Sequence, residues 1–272
     1  MSVKERISLV PIVRLCAIKV LKLSRRDISI TNKWTGSKLR LNSYHHKGYW
    51  YFGRDRSGPS MRMFGKLVRE GDTVIEAGGH IGFVTQYFSK LAGPRGKVVV
   101  FEPGSNNAPY IERNVQALQN TTLERMAVSS KNGTIVFYED NITGQNNSLL
   151  SAYDGADFVA RMNGETLVRT PREVEVVTLD SYAAAHGLAP DFLKIVVEGS
   201  EHDVLLGAHE TLRHVRGLMV QVTHQHEDVA RILLDAGFTL FSDHGIKQDS
   251  IPENANVFAL RDAAWSGGSY VG

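Results

Sequence analysis

The stretch "TVIEAGGHIGFVTQYF", residues 73–88, constrains this chain more than any other. A short apolar run meets three glycines and then a second apolar run with helical spacing, which reads as strand, tight turn and helix. Gly78, Gly79 and Gly82 let the backbone turn sharply and bring a ligand close to main-chain atoms. The helix that follows offers unpaired N–H groups at the positive end of its dipole. A unit of this kind belongs at the carboxyl end of a parallel strand, so the rest of the chain must supply the sheet.

The order of the remaining segments supplies it. After residues 73–88 come the strand "KVVVFEP" and a helix through "NAPYIERNVQAL". "LERMAVSS" leads to a hairpin strand, "GTIVFYED", and "REVEVVTLDSY" alternates as a strand. The strand "DFLKIVVEG" precedes one helix through "SEHDVLLGAHETL". The strand "GLMVQVTH", the helix "EDVARILLDAG" and the closing strands "FTLFSD" and "NVFAL" complete the pattern. This alternation predicts an α/β fold with a mostly parallel, doubly wound sheet that binds its ligand where strand order reverses. A chain of 272 residues is long enough for one such domain with a full core.

The first 70 residues differ in character. They carry 16 Lys/Arg against 4 Asp/Glu, whereas the remainder carries 15 against 25. The expected division is a basic extension at 1–70 (amphipathic helix, hairpin, connecting helix "MRMFGKLVREGD") and a core domain at 71–272. In the helix, Leu9, Ile12, Val13, Cys16, Val20 and Leu23 fall on one side, and Arg14, Lys19, Lys22, Arg25 and Arg26 on the other. Such a helix suits its own domain, a second copy of the chain in a homodimer, or peripheral contact with an anionic membrane through residues 8–26. The single cysteine, Cys16, excludes an internal disulfide framework and fits a reducing, cytoplasmic compartment. No apolar run reaches the ~18 residues of a membrane span.

The turn itself does not follow the dinucleotide pattern G-x-G-x-x-G. Its spacing is E-x-G-x-H-x-G, with Glu76 two residues before the first glycine and His80 inside the turn. A carboxylate there sits badly with a pyrophosphate and suits a ligand bearing positive charge, such as the amino group or sulfonium of S-adenosylmethionine. Glu102 closes the next strand, followed by Pro103, where these folds place an acid for ribose hydroxyls. A nicotinamide oxidoreductase is disfavoured by Glu76 and by the glycine spacing, which are wrong for a pyrophosphate. The absence of a Pro-Pro-aromatic motif, with "VVEG" in its place, counts against an amino-directed nucleic-acid methyltransferase, so no nucleic acid is expected as partner.

"GDTVIEAGGHIGFVTQYF", "KVVVFEP", "NGTIVFYED", "VTLDSY" and "DFLKIVVEGSEHDVLLGA" together resemble the FkbM family of methyltransferases, over roughly residues 45–260. The resemblance implies a Rossmann-like class I fold, a seven-stranded sheet with an antiparallel last strand, and S-adenosylmethionine-dependent transfer to a hydroxyl of a sugar, glycolipid or secondary metabolite. It implies Glu76, Gly78, Gly79, His80, Gly82, Glu102, Pro103 and Ala127 as cofactor contacts. His80 alternatively caps the helix beside it. In the family pattern resembling K-I-D-V-E-G, Lys194, Glu198 and Gly199 match but Val196 replaces the acid. Strand alternation puts residues 194, 196 and 198 on one side. Glu198 and Lys194 are the catalytic candidates there, Glu198 as the base or else as a helix cap or partner of Lys194. His224 is a further base, beside Gln221, where the family tends to carry Glu. His224, His226, Asp243 and His244 show no tight metal-ligand spacing, and no metal is expected. Asn147 and Ser148, in the polar loop "TGQNNSLLS", are either acceptor contacts or turn residues. The alternative to an enzyme is a retired methyltransferase fold that binds without turnover, held at a membrane by its basic helix.

Overall fold

The computed structural model describes residues 18–51, 57–151, 160–161, 164–252 and 254–261. Its main sheet is built from β3 (Thr73–Ala77), β4 (Lys97–Phe101), β5 (Thr121–Glu124), β9 (Phe192–Ile195), β10 (Gly217–Val222), β11 (Thr239–Ser242), β12 (Lys247–Gln248) and β13 (Ala255–Leu260). The spatial order is β12-β11-β13-β10-β9-β3-β4-β5. Pairing is parallel from β5 through β4, β3 and β9 to β10, and antiparallel where β13 inserts between β10 and β11. The expected seven strands and the antiparallel last strand are present. The two-residue β12 adds an eighth, because the turn after β11 folds back on that edge. Strand order reverses at β3, with β4 on one side and β9 on the other.

Alternation along each strand sends neighbouring residues to opposite faces. Ile75, Val99, Leu193 and Leu218 pack with Leu179, Tyr182, Val204, Leu212 and Val229 on one face. Val74, Val98, Phe192, Met219 and Phe258 pack with Met61, Phe64, Phe83 and Phe88 on the other. Both faces are therefore covered by helices, and the sheet is doubly wound.

Three local readings change. The segment "SEHDVLLGAHETL" forms two helices, Glu201–Leu206 and His209–His214, because the chain passes close to β6 (Ala127–Val128) at Gly207. A Cβ on Gly207 would lie 2.2 Å from the Ser129 carbonyl oxygen. "TLDSY" ends β8 (Arg169–Val177) and starts the helix Leu179–Ala185, whose cap is the Thr178 hydroxyl accepting from the Ser181 N–H. With β7 (Gly133–Asp140), β6 and β8 make a separate three-stranded sheet that the sequence pattern did not disclose.

The hairpin of β1 (Asp27–Thr31) and β2 (Lys38–Asn42) docks on the helices Phe83–Ala92 and Ala108–Val115. Asn32 Nδ2 donates to Gln86 Oε1 at 3.1 Å, and Asn114 bridges Arg40 and the Ile81 carbonyl. Most of residues 8–26 lie outside the described residues, including Leu9, Ile12, Val13 and Cys16. In the helical stretch 18–23, Val20 and Leu23 are 65% and 89% exposed while Ile18 is buried, so the expected apolar side is not the buried one there. Among the described residues, no helix is long and apolar enough to cross a membrane.

Candidate functional site

A cavity of about 1170 Å³, its open mouth included, lies across the carboxyl ends of β3, β4, β9 and β10. One half is lined by Glu76, Gly78, Gly79, His80, Glu102, Pro103 and the segment Met126–Val128. The other half is lined by Ser57, Ser60, Met61, Val196, Val197, Glu198, Gln221 and Asn256. Tyr49, Phe83, Gly144, Gln145 and Asn147 also line its walls.

Close approach explains the glycines. Gly78 has φ +87°, and a Cβ there would fall 1.9 Å from the Val196 carbonyl oxygen on the neighbouring strand end. Gly82 does not line the cavity. It ends the turn in a left-handed conformation, and its α-carbon faces Val115 and Ile111 of the next helix. Its part is helix packing.

Glu76 is fully buried at the root of the turn. Its Oε2 accepts from the Thr85 hydroxyl at 2.7 Å, and its Oε1 lies 3.1 Å from the Lys194 ammonium, which donates to the Gly78 carbonyl at 2.6 Å. That contact is close enough for an ion pair, but Oε1 has no partner in line for a hydrogen bond. Glu76 thus has acceptor capacity left at the cavity wall, while its charge is matched by Lys194. Lys194 is a buried partner of the turn rather than a free base.

Glu102 is buried and accepts from the His80 N–H (2.7 Å), the Gly104 N–H (2.9 Å) and Asn107 Nδ2 (3.2 Å). Burial pushes its carboxyl above the usual glutamate range, and the three donors pull it back in part. His80 itself has φ 50° and its ring is held by protein on both sides, with Nδ1 2.8 Å from the Tyr49 hydroxyl and Nε2 3.2 Å from the Thr143 carbonyl. It does not cap the helix, whose N-cap residue is Gly82, with no side-chain cap hydrogen bond among the described residues.

β9 ends at Ile195, so alternation does not carry through to residue 198. Glu198 reaches the cavity because its backbone is left-handed, φ 54°, in a turn pinned by Glu201. Glu201 is buried. Its Oε1 accepts from the Val197 and Gly199 N–H groups, and its Oε2 from the Thr223 hydroxyl. Glu201 was missed in the sequence, although "EGSE" carried the signal of an acid three residues after Glu198 at a helix start.

The remaining candidates divide. Ala127, Pro103 and Asn147 line the cavity. Ser148 does not: it is fully buried, donates to the Glu198 carbonyl at 2.6 Å and accepts from the Leu150 N–H. Its hydroxyl is spent on the turn, not on an acceptor. His224 is exposed and absent from the lining, lying behind Gly199. Asp243 and His244 face each other at 3.8 Å away from the cavity, and no group of three His, Cys, Asp or Glu among the described residues is arranged to hold a metal. Tyr49, Gln221 and Asn256 join the site from elements far apart in sequence.

The first half of the cavity fits S-adenosylmethionine. An acid with spare acceptor capacity lies at the turn, a buried acid follows the next strand, and the apolar residues Met126, Ala127 and Val128 line the cavity, as an adenine ring requires. Fold and site define a Rossmann-like class I methyltransferase. Residues 76–240 match the model of the methyltransferase FkbM domain, and the chain belongs to that family of S-adenosylmethionine-dependent enzymes. A curated relative, 2-O-methyltransferase NoeI of Sinorhizobium fredii (strain NBRC 101917 / NGR234), is 28% identical over 178 residues, 60% of this chain and 69% of its own length. Among solved structures, precorrin-6y C5,15-methyltransferase from Geobacter metallireducens GS-15 is 11% identical, with TM-score 0.41, over 76% of this chain and 88% of its own. A SAM-dependent methyltransferase from Aquifex aeolicus is 16% identical, with TM-score 0.36, over 74% and 87%. These two likenesses concern the fold alone.

Proposed function

We propose that this enzyme transfers a methyl group to a hydroxyl oxygen of a glycan or other polyhydroxylated small molecule in the cytoplasm. The observation that carries the reading is the second half of the cavity, where one carboxylate, Glu198, stands with the amides of Gln221 and Asn256. Amides and a carboxylate recognise hydroxyls by donating to and accepting from them at once. The relative named as a 2-O-methyltransferase supports oxygen as the atom modified.

S-adenosylmethionine, when bound, supplies a methyl group on a positively charged sulfur. The chain does the rest. Gly78, Gly79, Glu102, Pro103 and Ala127 hold the cofactor half; Glu76, its charge matched by Lys194, keeps the turn in register. Glu198 takes the proton from the acceptor hydroxyl as the oxygen attacks, a role that contributes ~10²–10⁴-fold when the base is well placed. Orientation and exclusion of water by Tyr49 and the 143–147 wall contribute as well.

A second reading, binding without turnover, is favoured by Val196 and Gln221, which stand where the family resemblance expects acids. Transfer from radiolabelled S-adenosylmethionine to a panel of oligosaccharides separates the two. The enzymatic reading expects incorporation that Glu198→Gln lowers at least a hundredfold while S-adenosylhomocysteine binding persists. Binding with no incorporation into any acceptor fits the second reading.

A further inference from the structure

His80 stands in the middle of the cofactor turn, yet both its ring nitrogens are occupied by other parts of the protein. The Thr143 carbonyl can only accept, so the Nε2 facing it at 3.2 Å carries the ring proton. In the neutral ring Nδ1 is then an acceptor, and the Tyr49 hydroxyl at 2.8 Å donates to it. The two rings also stack, with centroids 5.8 Å apart and planes 23° from parallel, while His46 meets His80 edge-on.

The two partners belong to different walls of the cavity. Tyr49 lies on the short helix Lys47–Tyr51, contributed by the N-terminal extension. Thr143 lies in the loop after β7, which Asp140 organises by accepting from the N–H groups of Ile142, Thr143 and Asn146. That loop supplies Gly144, Gln145 and Asn147 to the lining. One imidazole therefore joins the turn to both walls, and the His80 N–H fixes Glu102 below.

We propose that His80 is a positioning residue: by bridging Tyr49 and the Thr143 carbonyl it holds the extension and the 142–147 loop against the cofactor half of the cavity. It acts on the cofactor through these walls, not by direct contact. The inference rests on the placement of the cofactor given above.

The test uses the full chain and three variants. His80→Asn is the informative one, because asparagine tolerates the left-handed backbone while its shorter amide cannot span both partners. Tyr49→Phe removes one hydroxyl and keeps the stacked ring. His80→Ala removes everything. S-adenosylhomocysteine affinity is read by calorimetry, and backbone amide exchange at 44–51 and 142–147 by mass spectrometry. Loss of two hydrogen bonds predicts about tenfold weaker binding for His80→Asn, and a smaller loss for Tyr49→Phe. Exchange rises at both segments in His80→Asn, and at 44–51 in Tyr49→Phe. Wild-type binding with His80→Asn within twofold of it, or unchanged exchange at 142–147, overturns the proposal. If the wild type binds no S-adenosylhomocysteine, the cofactor placement fails instead, and exchange in the free protein alone judges the bridge. If His80→Ala does not fold, the other two variants decide.

Discussion

Replacing Lys194 by methionine tests the arrangement beneath the cofactor turn. The change preserves length and bulk but removes the ammonium that lies 3.1 Å from Glu76 Oε1 and donates to the Gly78 carbonyl at 2.6 Å. Glu76 is 0% exposed, so the carboxylate that is left is buried, and among the described residues only the Thr85 hydroxyl still donates to it. Stripping one partner from a buried ion pair typically destabilises by about 3–5 kcal/mol. Folded domains hold only ~5–15 kcal/mol in all, so the loss should be plain in a urea titration. Glu76→Gln in the same background removes the orphaned charge and should return at least ~2 kcal/mol. A Lys194→Met protein within about 1 kcal/mol of wild type, or a double variant no more stable than Lys194→Met alone, would refute the reasoning. The same geometry governs how a cofactor-binding experiment on Glu76 is designed. Glu76→Ala leaves Lys194 buried and uncompensated inside the turn, so lost binding would not separate direct contact from a distorted loop. Glu76→Gln keeps the shape and is the variant to use.

Four other outcomes follow from particular contacts. Burial raises the Glu201 carboxyl above its ordinary value of 4.5, so the folded state takes up a proton more readily than the unfolded chain. Its contribution is favourable below that value and is lost as pH rises through the folded-state value; the stability of wild type relative to Glu201→Gln should fall upward from about pH 4.5, and a pH-independent melting difference would contradict this. Gly78→Ala forces a Cβ to 1.9 Å from the Val196 carbonyl at a positive φ, and should destabilise by more than about 2 kcal/mol in chemical unfolding, far beyond Gly36→Ala, where φ is also positive but nothing lies within 4 Å. Asp140→Ala orphans three backbone N–H groups and should lower stability by about 1–3 kcal/mol, with new protease cleavage at 141–147. Glu198→Gln should spare S-adenosylhomocysteine binding and suppress methyl transfer, since Glu198 is assigned to the acceptor and not to the cofactor.

What the sequence determined by itself was the sheet and its ligand edge. Apolar runs of period two alternating with helical runs leave few topologies, and Gly78 and Gly79 mark the point of close approach, where a Cβ would fall 1.9 and 2.3 Å from the nearest atoms. Glu198 reads as a strand-end residue in the sequence but lies in the turn beyond β9; the acids Glu76 and Glu102 were legible as strand-end residues. Their company was not. Lys194 sits 118 positions from Glu76, Tyr49 comes from the extension, and Asn256 from the last strand, so pairing and orientation appear only once β3, β9, β10 and β13 are side by side. Ser148 and His224 show the converse. Each looked available for chemistry by type and position, but one hydroxyl is consumed by the Glu198 turn and one imidazole lies outside the cavity. Local pattern fixes which backbone segments reach the edge; tertiary packing decides which side chains there keep a free atom, because a buried polar group takes whatever partner the fold brings within about 3 Å.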